Sequence, residues 1–475
     1  MDGQRGIARR MVVGLPPEGS SPAWERDFAQ FPPAGVIVFA RDFRDLEDLR
    51  RRIARLRELA RPRRLFVALD EEGGWVSQLA GHLVVPPNAA LLSRGAAAGE
   101  LEWIAGVTAR RLRALGFDWD FAPVADVHSE ADNPVIGPRA FGSEPAAVSE
   151  AVGAILRGFD SAGLAACLKH FPGHGDTRVD SHLVLPVCAA DAATLRAREL
   201  RPFADHPGAD SVMSAHVVYP ALDPERPATF SEAIVRRLLR EELGFGGVCV
   251  TDALEMQGAA AGRTPAEAGA AALSAGCDLL LYAHWSEDVR RARLALADLL
   301  VEGAIDRAAF DDARPRLAAF DARRPEPTEA ELAAPLDSLT PPDWTSRLEA
   351  IVERGLRIEG TWSGPAGSFA IAEPAFAHGG TLAADLAATG LVAGGASPRA
   401  QVIAIASRVP VPEAEIASLR ARCGERPTVL VGLQNDAFLA GVPEAAVRIS
   451  AGDATPLTRR VVARRIAALV RGRRG

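Results

Sequence analysis

Short apolar runs alternate with longer amphipathic segments through the first 320 or so residues, and this alternation constrains the fold more than any other feature. Helical patterns such as Asp45–Ala60 and Glu287–Val301 separate the runs. Eight runs are bounded by glycine, proline or aspartate and have the length of buried strands: 11–14, 34–40, 64–70, 117–123, 165–172, 211–217, 247–252 and 277–283. Regular strand–helix alternation is typical of a parallel sheet, and eight units in about 320 residues predict a closed (β/α)8 barrel. An open doubly wound sheet and two smaller α/β domains are the alternative topologies.

The alternation stops where the composition changes, near residue 322. Residues 323–345 are rich in proline and predict a linker. Beyond it, apolar runs at 368–372, 401–406 and 428–432 are separated by helical patterns. The sequence therefore predicts an α/β protein with a (β/α)8 TIM barrel over 1–322, followed by a smaller α/β sandwich-like domain over 346–475.

Composition excludes several classes of protein. The hydrophobic content of 48% and charged content of 24% are typical of globular proteins. The net charge of −7 gives no electrostatic attraction to nucleic acid or to an anionic membrane. The five cysteines lack the spacing of a zinc site or a disulfide framework, and neither a signal peptide nor a membrane-spanning run is evident. We therefore expect a cytoplasmic protein without nucleic-acid or membrane partners.

The chain contains one lysine, Lys169, among 54 lysine and arginine residues. An ammonium group is a compact donor, whereas the guanidinium of arginine is a broad planar fork. A narrow polar site that binds one hydroxyl would require the first and exclude the second. Lys169 also opens the segment 169–182, which is dense in ionisable residues: His170, His174, Asp176, Asp180 and His182. We predict that this segment belongs to the active site.

Other polar residues fall at the carboxyl ends of the predicted strands. Asp70 ends the third run, His170 lies near the end of the fifth, His216 near the end of the sixth, and Asp252 ends the seventh. In a barrel these ends converge on one mouth, where active sites form. Their clustering supports both the barrel and a site at its mouth.

Each candidate also has a simpler interpretation. The Asp180 carboxylate could make His182 a proton shuttle, or the two could form an ordinary loop hydrogen bond. Asp252 ends an apolar strand, where a carboxylate needs a function or a partner, although helix capping is common. Asp70 precedes paired glycines and either binds a ligand hydroxyl or forms a tight turn. Arg139, in a nonpolar loop, is either a surface cation or a fork for a hydroxyl, acetamide or carboxylate.

The segment Lys-His-Phe-Pro-Gly-His-Gly at 169–175, followed by Asp-Ser-His at 180–182, resembles the bacterial β-N-acetylglucosaminidases of glycoside hydrolase family 3. The similarity extends over about residues 4–320. Six further motifs match in the same order, at 35–39, 70–74, 121–126, 133–142, 213–216 and 251–256. So many ordered matches indicate membership of this family.

The resemblance implies a retaining mechanism without a metal or organic cofactor. Asp252 would be the nucleophile that forms a glycosyl-enzyme intermediate, and His182, with Asp180 as its partner, would be the general acid/base. A histidine then replaces the second carboxylate usual in retaining glycosidases. His216 would be a further substrate-binding residue. Sugar hydroxyls would be held by four residues: Asp70, Arg139, Lys169 and His170.

The chain departs from the family pattern at three positions. Family members commonly carry arginines where this chain has Trp75 and Gln78, which leaves the exact sugar and aglycone open. Ala253 stands where a second aspartate often follows the nucleophile, which removes the ambiguity over which carboxylate attacks.

We therefore expect a retaining exo-β-N-acetylglucosaminidase that removes terminal β-linked GlcNAc from peptidoglycan or chitin fragments. Two alternatives stay open. The missing arginines would also suit a sugar-binding protein without turnover. A metal-dependent hydrolase on the same barrel would use five ligands: His170, His174, His182, Asp176 and Asp252. The sequence indicates neither the oligomeric state nor whether water or phosphate accepts the sugar.

Overall fold

The structure, a computed structural model, describes residues 2–16, 22–180, 184–260, 262–365, 369–373, 381–391 and 399–472. The chain divides into two compact units. The barrel unit comprises Met1–Glu71, Glu102–Ser129 and Ser143–Thr340. The second unit comprises Glu72–Leu101, Glu130–Gly142 and Pro341–Gly475. The division at residues 322 and 346 stays a prediction.

Eight short parallel strands form the sheet of the barrel unit. They are β1 Met11–Gly14, β2 Gly35–Ile37, β3 Phe66–Leu69, β4 Trp119–Asp120, β5 Ala165–Phe171, β6 Ser211–Ser214, β7 Val248–Thr251 and β8 Leu280–Tyr282. Strands from β1 to β7 pair in chain order, and β8 pairs with β1. A parallel bridge between Val250 of β7 and Leu279, directly before β8, closes the sheet. The predicted (β/α)8 barrel is confirmed.

Helices connect these strands, and several begin at a capping side chain. The Asp45 carboxylate accepts a hydrogen bond from the Asp48 backbone, and Thr264 forms a capping box with Glu267. Helices with residues in the barrel unit are Asp2–Ala8, Pro22–Gln30, Leu46–Ala60, Glu100–Leu115, Pro145–Asp160, Ala192–Ala197, Arg201–Ala204, Gln257–Ala260, Pro265–Ala275, Glu287–Val301, Arg307–Arg323 and Glu329–Leu332. The segment Ala233–Glu242 is π-helical, and an antiparallel pair, Val218–Tyr219 with Asp223–Pro227, follows β6.

The amino end of the barrel carries three buried aspartates, Asp118, Asp210 and Asp278, before β4, β6 and β8. Their carboxylates accept backbone N–H groups of the preceding strands, from Val67 at 2.9 Å, Ala166 at 3.1 Å and Cys249 at 2.8 Å. Each also pairs with arginines, in turn Arg57 and Arg64, Arg323 and Arg324, and Arg240 and Arg316. These hydrogen bonds and buried ion pairs hold neighbouring strands in register. The three aspartates therefore stabilise the fold, which is the usual role of residues at this face of a barrel.

The second unit contains a five-stranded mixed sheet. Its strands are β9 Arg357–Gly360, β10 Phe369–Ala372, β11 Ala400–Ile405, β12 Thr428–Gly432 and β13 Val447–Ser450. They lie in the order β9-β13-β12-β11-β10, and β9 alone runs antiparallel to its neighbour. Helices of this unit are Ala89–Gly95, Trp344–Gly355, Leu382–Ala388, Glu413–Glu425 and Pro456–Val470. The predicted second α/β domain is thus confirmed as a fold. Within the described ranges, no helix has the length and apolarity needed to cross a membrane.

Candidate active site

Lys169, at the carboxyl end of β5, contacts Asp70, which directly follows β3. Its Nζ atom lies 2.6 Å from Asp70 Oδ1, and only 2% of the lysine is exposed. The pair brings together two residues that lie 99 positions apart in the chain. A buried cation beside a partly exposed carboxylate can donate to one ligand hydroxyl and accept from it.

A second carboxylate, Asp120 at the end of β4, holds the backbone next to this pair. Its Oδ1 accepts the Glu71 backbone N–H at 2.9 Å, which fixes the chain directly after Asp70. Burial raises the pKa of Asp120 well above its usual value, and the nearby charge of Glu71 acts in the same direction. Asp120 could not be singled out from the sequence, because nothing in the local pattern distinguishes it from other aspartates.

His170, the residue after Lys169, is held by the fully buried Asp126. The Asp126 Oδ2 atom lies 2.7 Å from His170 Nδ1, and its Oδ1 accepts backbone N–H groups of His170 at 3.0 Å and His174 at 2.7 Å. Burial alone would raise the pKa of Asp126, but the charge and hydrogen bonds of His170 and His174 lower it. Because Asp126 engages Nδ1, His170 would meet a ligand through Nε2. Asp126 was part of a matched motif but was not predicted as a site residue.

His174 packs edge-on against His170, with ring centroids 5.8 Å apart. Its Nδ1 lies 2.9 Å from Thr177 Oγ1, and 2% of the residue is exposed. Burial lowers the pKa of His174 to about 4, and the charge of Asp252 opposes this shift. His174 is therefore neutral at pH 7 and lies within electrostatic reach of Asp252.

We expect the His174→Asn variant to lose less stability in acid than the wild type. The His174 imidazole has a pKa near 6.5 in the unfolded protein and about 4 in the folded protein. The contribution of His174 to the free energy of unfolding is therefore complete above pH 6.5 and is lost as the pH falls toward 4. The difference in unfolding free energy between pH 7 and pH 4 should be about 3 kcal/mol larger in the wild type. Denaturant unfolding at a series of pH values measures it. Parallel pH profiles for the two proteins would contradict a neutral buried His174.

Asp252 and His216 lie at the carboxyl ends of β7 and β6. Asp252 is partly exposed, and its Oδ1 accepts the Ala253 backbone N–H at 2.7 Å. His216 is 1% exposed, and its Nε2 lies 3.1 Å from the Ala253 carbonyl oxygen. Burial lowers the pKa of His216, with the charges of Asp252 and His170 close enough to modify it. The mouth of the barrel therefore gathers the predicted residues of β5, β6 and β7.

Arg139 lies in the second unit, where it forms a bidentate ion pair with Glu72. The Arg139 Nε and Nη2 atoms lie 2.8 and 2.7 Å from the two Glu72 carboxylate oxygens. The Arg139 guanidinium thus has a protein partner, and the role of Arg139 toward a sugar stays a prediction. In the same unit, Asn88 Oδ1 accepts the Trp75 backbone N–H at 3.0 Å, and the Arg408 guanidinium lies 5.3 Å from the centroid of the Trp75 ring.

The predicted acid/base pair is described in part. His182 lies outside the described residues. Asp180 is described and its carbonyl oxygen accepts the Val184 backbone N–H at 3.0 Å. Its pairing with His182 therefore stays a prediction. Asp176, one of the alternative metal ligands, pairs instead with Arg198 at 2.5 Å. Within the part of the chain that the structure describes, no group of three or more His, Cys, Asp and Glu side chains could hold a metal ion.

Ionisable side chains gather at the carboxyl ends of β3, β5, β6 and β7, the face at which (β/α)8-barrel enzymes carry their active sites. The sequence profile described as "Glycosyl hydrolase family 3 N terminal domain" matches residues 25–320. The chain belongs to glycoside hydrolase family 3, as the motifs predicted.

Individual relatives agree with this assignment. A "Beta-hexosaminidase" of Idiomarina loihiensis is 39% identical over 258 residues, which cover 53% of this chain and 76% of that protein. One of Methylococcus capsulatus is 38% identical over 316 residues, which cover 65% of this chain and 91% of that protein. The solved structure of a glycoside hydrolase family 3 β-N-acetylglucosaminidase from Paenibacillus sp. str. FPU-7 is similar with a TM-score of 0.88 and 27% identity, over 99% of this chain and 97% of that one.

Proposed function

We propose that the protein is a retaining exo-β-N-acetylglucosaminidase that hydrolyses terminal β-linked GlcNAc from peptidoglycan or chitin fragments. Membership of family 3 and the names of the relatives support a hydrolase of this sugar class. The observation that carries the proposal is the Asp252 carboxylate, which is partly exposed at the end of β7 with one oxygen held by the Ala253 N–H. A carboxylate fixed in this way is suited to attack an anomeric carbon.

The reaction proceeds in two displacements at that carbon. Asp252 forms a bond to the anomeric carbon as the bond to the aglycone oxygen breaks, and His182 gives a proton to that oxygen. Water then attacks the glycosyl ester, His182 takes the water proton, and Asp252 leaves as a carboxylate. Asp180 orients His182 and stabilises its cationic form. Neither step requires a metal or an organic cofactor.

Four side chains are proposed to hold the sugar: Asp70, Arg139, Lys169 and His170. The 2.6 Å pair of Lys169 and Asp70 offers one donor and one acceptor to a hydroxyl. His170, fixed through Nδ1 by Asp126, offers Nε2. Rigid groups of this kind lose little entropy on binding, which favours specificity for hydroxyl orientation.

We expect His182→Ala to affect substrates with poor leaving groups most. An alkyl or sugar aglycone needs a proton as the bond breaks, whereas a nitrophenolate does not. Turnover of a GlcNAc disaccharide should fall about a hundredfold or more, while the first step on nitrophenyl β-GlcNAc should change far less. Steady-state and single-turnover kinetics on both substrates measure this. Equal losses on the two would contradict the acid role.

A substrate panel tests the proposed function as a whole. The wild-type protein is incubated with nitrophenyl β-glycosides of GlcNAc, glucose and GalNAc, with and without phosphate and with EDTA. We expect phenol release from the GlcNAc substrate in the presence of EDTA, with little from the other two. A preference for glucose would overturn the assignment of the sugar, and binding without release would indicate a protein that has lost turnover. Loss of activity in EDTA would favour a metal-dependent hydrolase.

We further propose that the protein acts in the cytoplasm on a small carbohydrate, without nucleic-acid or membrane partners. All five cysteines are free and buried, which suits a reducing compartment. Quantifying the protein in fractionated cells tests the location.

A further inference from the structure

Both ring nitrogens of His216 have hydrogen-bond partners within the protein. Its Nδ1 lies 2.9 Å from Thr229 Oγ1, and its Nε2 lies 3.1 Å from the Ala253 carbonyl oxygen. The Phe230 ring lies nearly parallel to the imidazole, with centroids 6.3 Å apart. Both nitrogens are therefore engaged, and the residue has no ring atom left for a sugar hydroxyl. This differs from His170, where one nitrogen is taken by Asp126.

The hydrogen-bond partners, together with the burial of the ring, indicate which atoms of this group carry a proton at neutral pH. A carbonyl oxygen can only accept, so His216 Nε2 carries the hydrogen that points to Ala253. Burial lowers the pKa of His216, so the ring is neutral and its Nδ1 is an acceptor. Thr229 Oγ1 lies 2.9 Å from His216 Nδ1 and 3.0 Å from the Ala215 carbonyl oxygen. Beside a neutral ring its single hydroxyl hydrogen goes to Nδ1, because two acceptors would otherwise face each other there. Ser214, whose Oγ lies 2.9 Å from Thr229 Oγ1, can donate to Thr229.

The chain of hydrogen bonds ends at the proposed nucleophile. The carbonyl of Ala253 accepts from His216, while the N–H of the same residue donates to Asp252 Oδ1 at 2.7 Å. The Asp252 backbone N–H also donates to the Ser214 carbonyl at 3.2 Å. Ser214, at the end of β6, thus anchors the group at both ends.

We propose that His216 is a positioning residue for Asp252, kept in its Nε2–H tautomer by Thr229, and that it is not a ligand of the sugar. This inference rests on the proposed function, since it assumes that Asp252 is the nucleophile. By holding the Ala253 carbonyl, His216 fixes the orientation of the adjoining N–H and of the carboxylate oxygen that it binds. A residue acting this way contributes to the rate of the chemical step and little to ground-state binding.

Variants at Thr229 test the inference without changing His216 or Asp252. Thr229→Val keeps the shape but removes the donor, whereas Thr229→Ser keeps the donor. On nitrophenyl β-GlcNAc we expect Thr229→Val to lower kcat about tenfold with KM unchanged, and Thr229→Ser to stay near the wild type. At His216, Gln can still donate to Ala253 whereas Leu cannot, so His216→Leu should lose about a hundredfold and His216→Gln should recover most of it.

A binding measurement distinguishes a positioning role of His216 from direct binding of the sugar. Titration of GlcNAc by calorimetry should give the same affinity for the wild type, Thr229→Val and His216→Leu. A large rise in KM or loss of GlcNAc affinity with kcat retained would show that His216 binds the sugar and would overturn the inference. Thermal unfolding identifies variants that do not fold.

The tautomer can be observed independently of catalysis. Imidazole ¹⁵N shifts of His216 should report a single neutral Nε2–H tautomer in the wild type and a mixed population in Thr229→Val. If the wild type releases no sugar, the proposed function fails while this spectroscopic result still stands. If the wild type is active but His216 is cationic or in the other tautomer, the inference fails alone.

Discussion

Replacing Asp252 by asparagine is expected to reduce hydrolysis of nitrophenyl β-GlcNAc about ten-thousandfold, which corresponds to about 5.5 kcal/mol of activation free energy. The asparagine oxygen can still accept the Ala253 N–H, so the loop should keep its conformation. An amide cannot form the glycosyl ester, so the loss arises in the chemical step. Steady-state kinetics measures the loss, and calorimetric titration of GlcNAc should show that binding persists.

A control at the start of the helix that follows this loop distinguishes chemistry from a local disturbance of structure. Gln257 is exposed a few residues away, and Gln257→Ala should keep full activity. Mass spectrometry of the wild type, quenched in acid during turnover of a slow fluorinated GlcNAc substrate, should detect one added sugar unit. Near-normal turnover by Asp252→Asn would refute the role of this residue. Turnover without a covalent adduct would favour attack by the acetamido oxygen of the substrate itself.

Replacing Lys169 by methionine is expected to lower kcat/KM about a thousandfold, or about 4 kcal/mol. The change leaves Asp70 without its cation at 2.6 Å and removes a charged donor from the sugar site. Lys169→Arg should lower kcat/KM almost as much, because the lysine is 2% exposed and a planar guanidinium is too broad for the same space. Steady-state kinetics on nitrophenyl β-GlcNAc measures both.

The chain provides a matched control for the arginine exchange. Arg291 is largely exposed on the helix Glu287–Val301, and Arg291→Lys should leave kcat/KM unchanged. Thermal unfolding of Lys169→Arg shows whether the barrel tolerates the larger cation. If this variant is folded and retains more than about a tenth of the activity, the single lysine does not reflect the shape of the site.

The fold followed from the sequence because hydrophobic periodicity reports burial directly. The predicted runs at 11–14 and 428–432 match β1 and β12, and the predicted helix Glu287–Val301 is observed with the same bounds. Periodicity could not reveal the π-helical form of Ala233–Glu242, since this depends on one shifted hydrogen bond per turn. It also could not predict the cis peptide bond between Lys169 and His170, because such bonds are very rare before residues other than proline.

Part of the candidate site could be predicted from the sequence. The residues that could not be predicted act through contacts with residues far away in the chain. Lys169 and Asp252 were identifiable from composition and from their place at strand ends. Asp126, by contrast, is significant because it binds His170 across 44 residues, and no local pattern reports that distance. The same holds for Thr229, whose hydroxyl matters through His216. Sequence patterns identify residues that bear chemistry, whereas three-dimensional contacts identify the residues that orient them.

The aspartates at the amino end of the barrel, Asp118, Asp210 and Asp278, bear on how the family can diversify. Each fixes two adjacent strands through backbone N–H groups and arginine pairs. The strand framework is thereby anchored at the end that holds no proposed catalytic group. Loops at the opposite rim can then change in length and sequence with little penalty in folding. New aglycone preferences could arise there, by mutation or by design, on an unaltered frame.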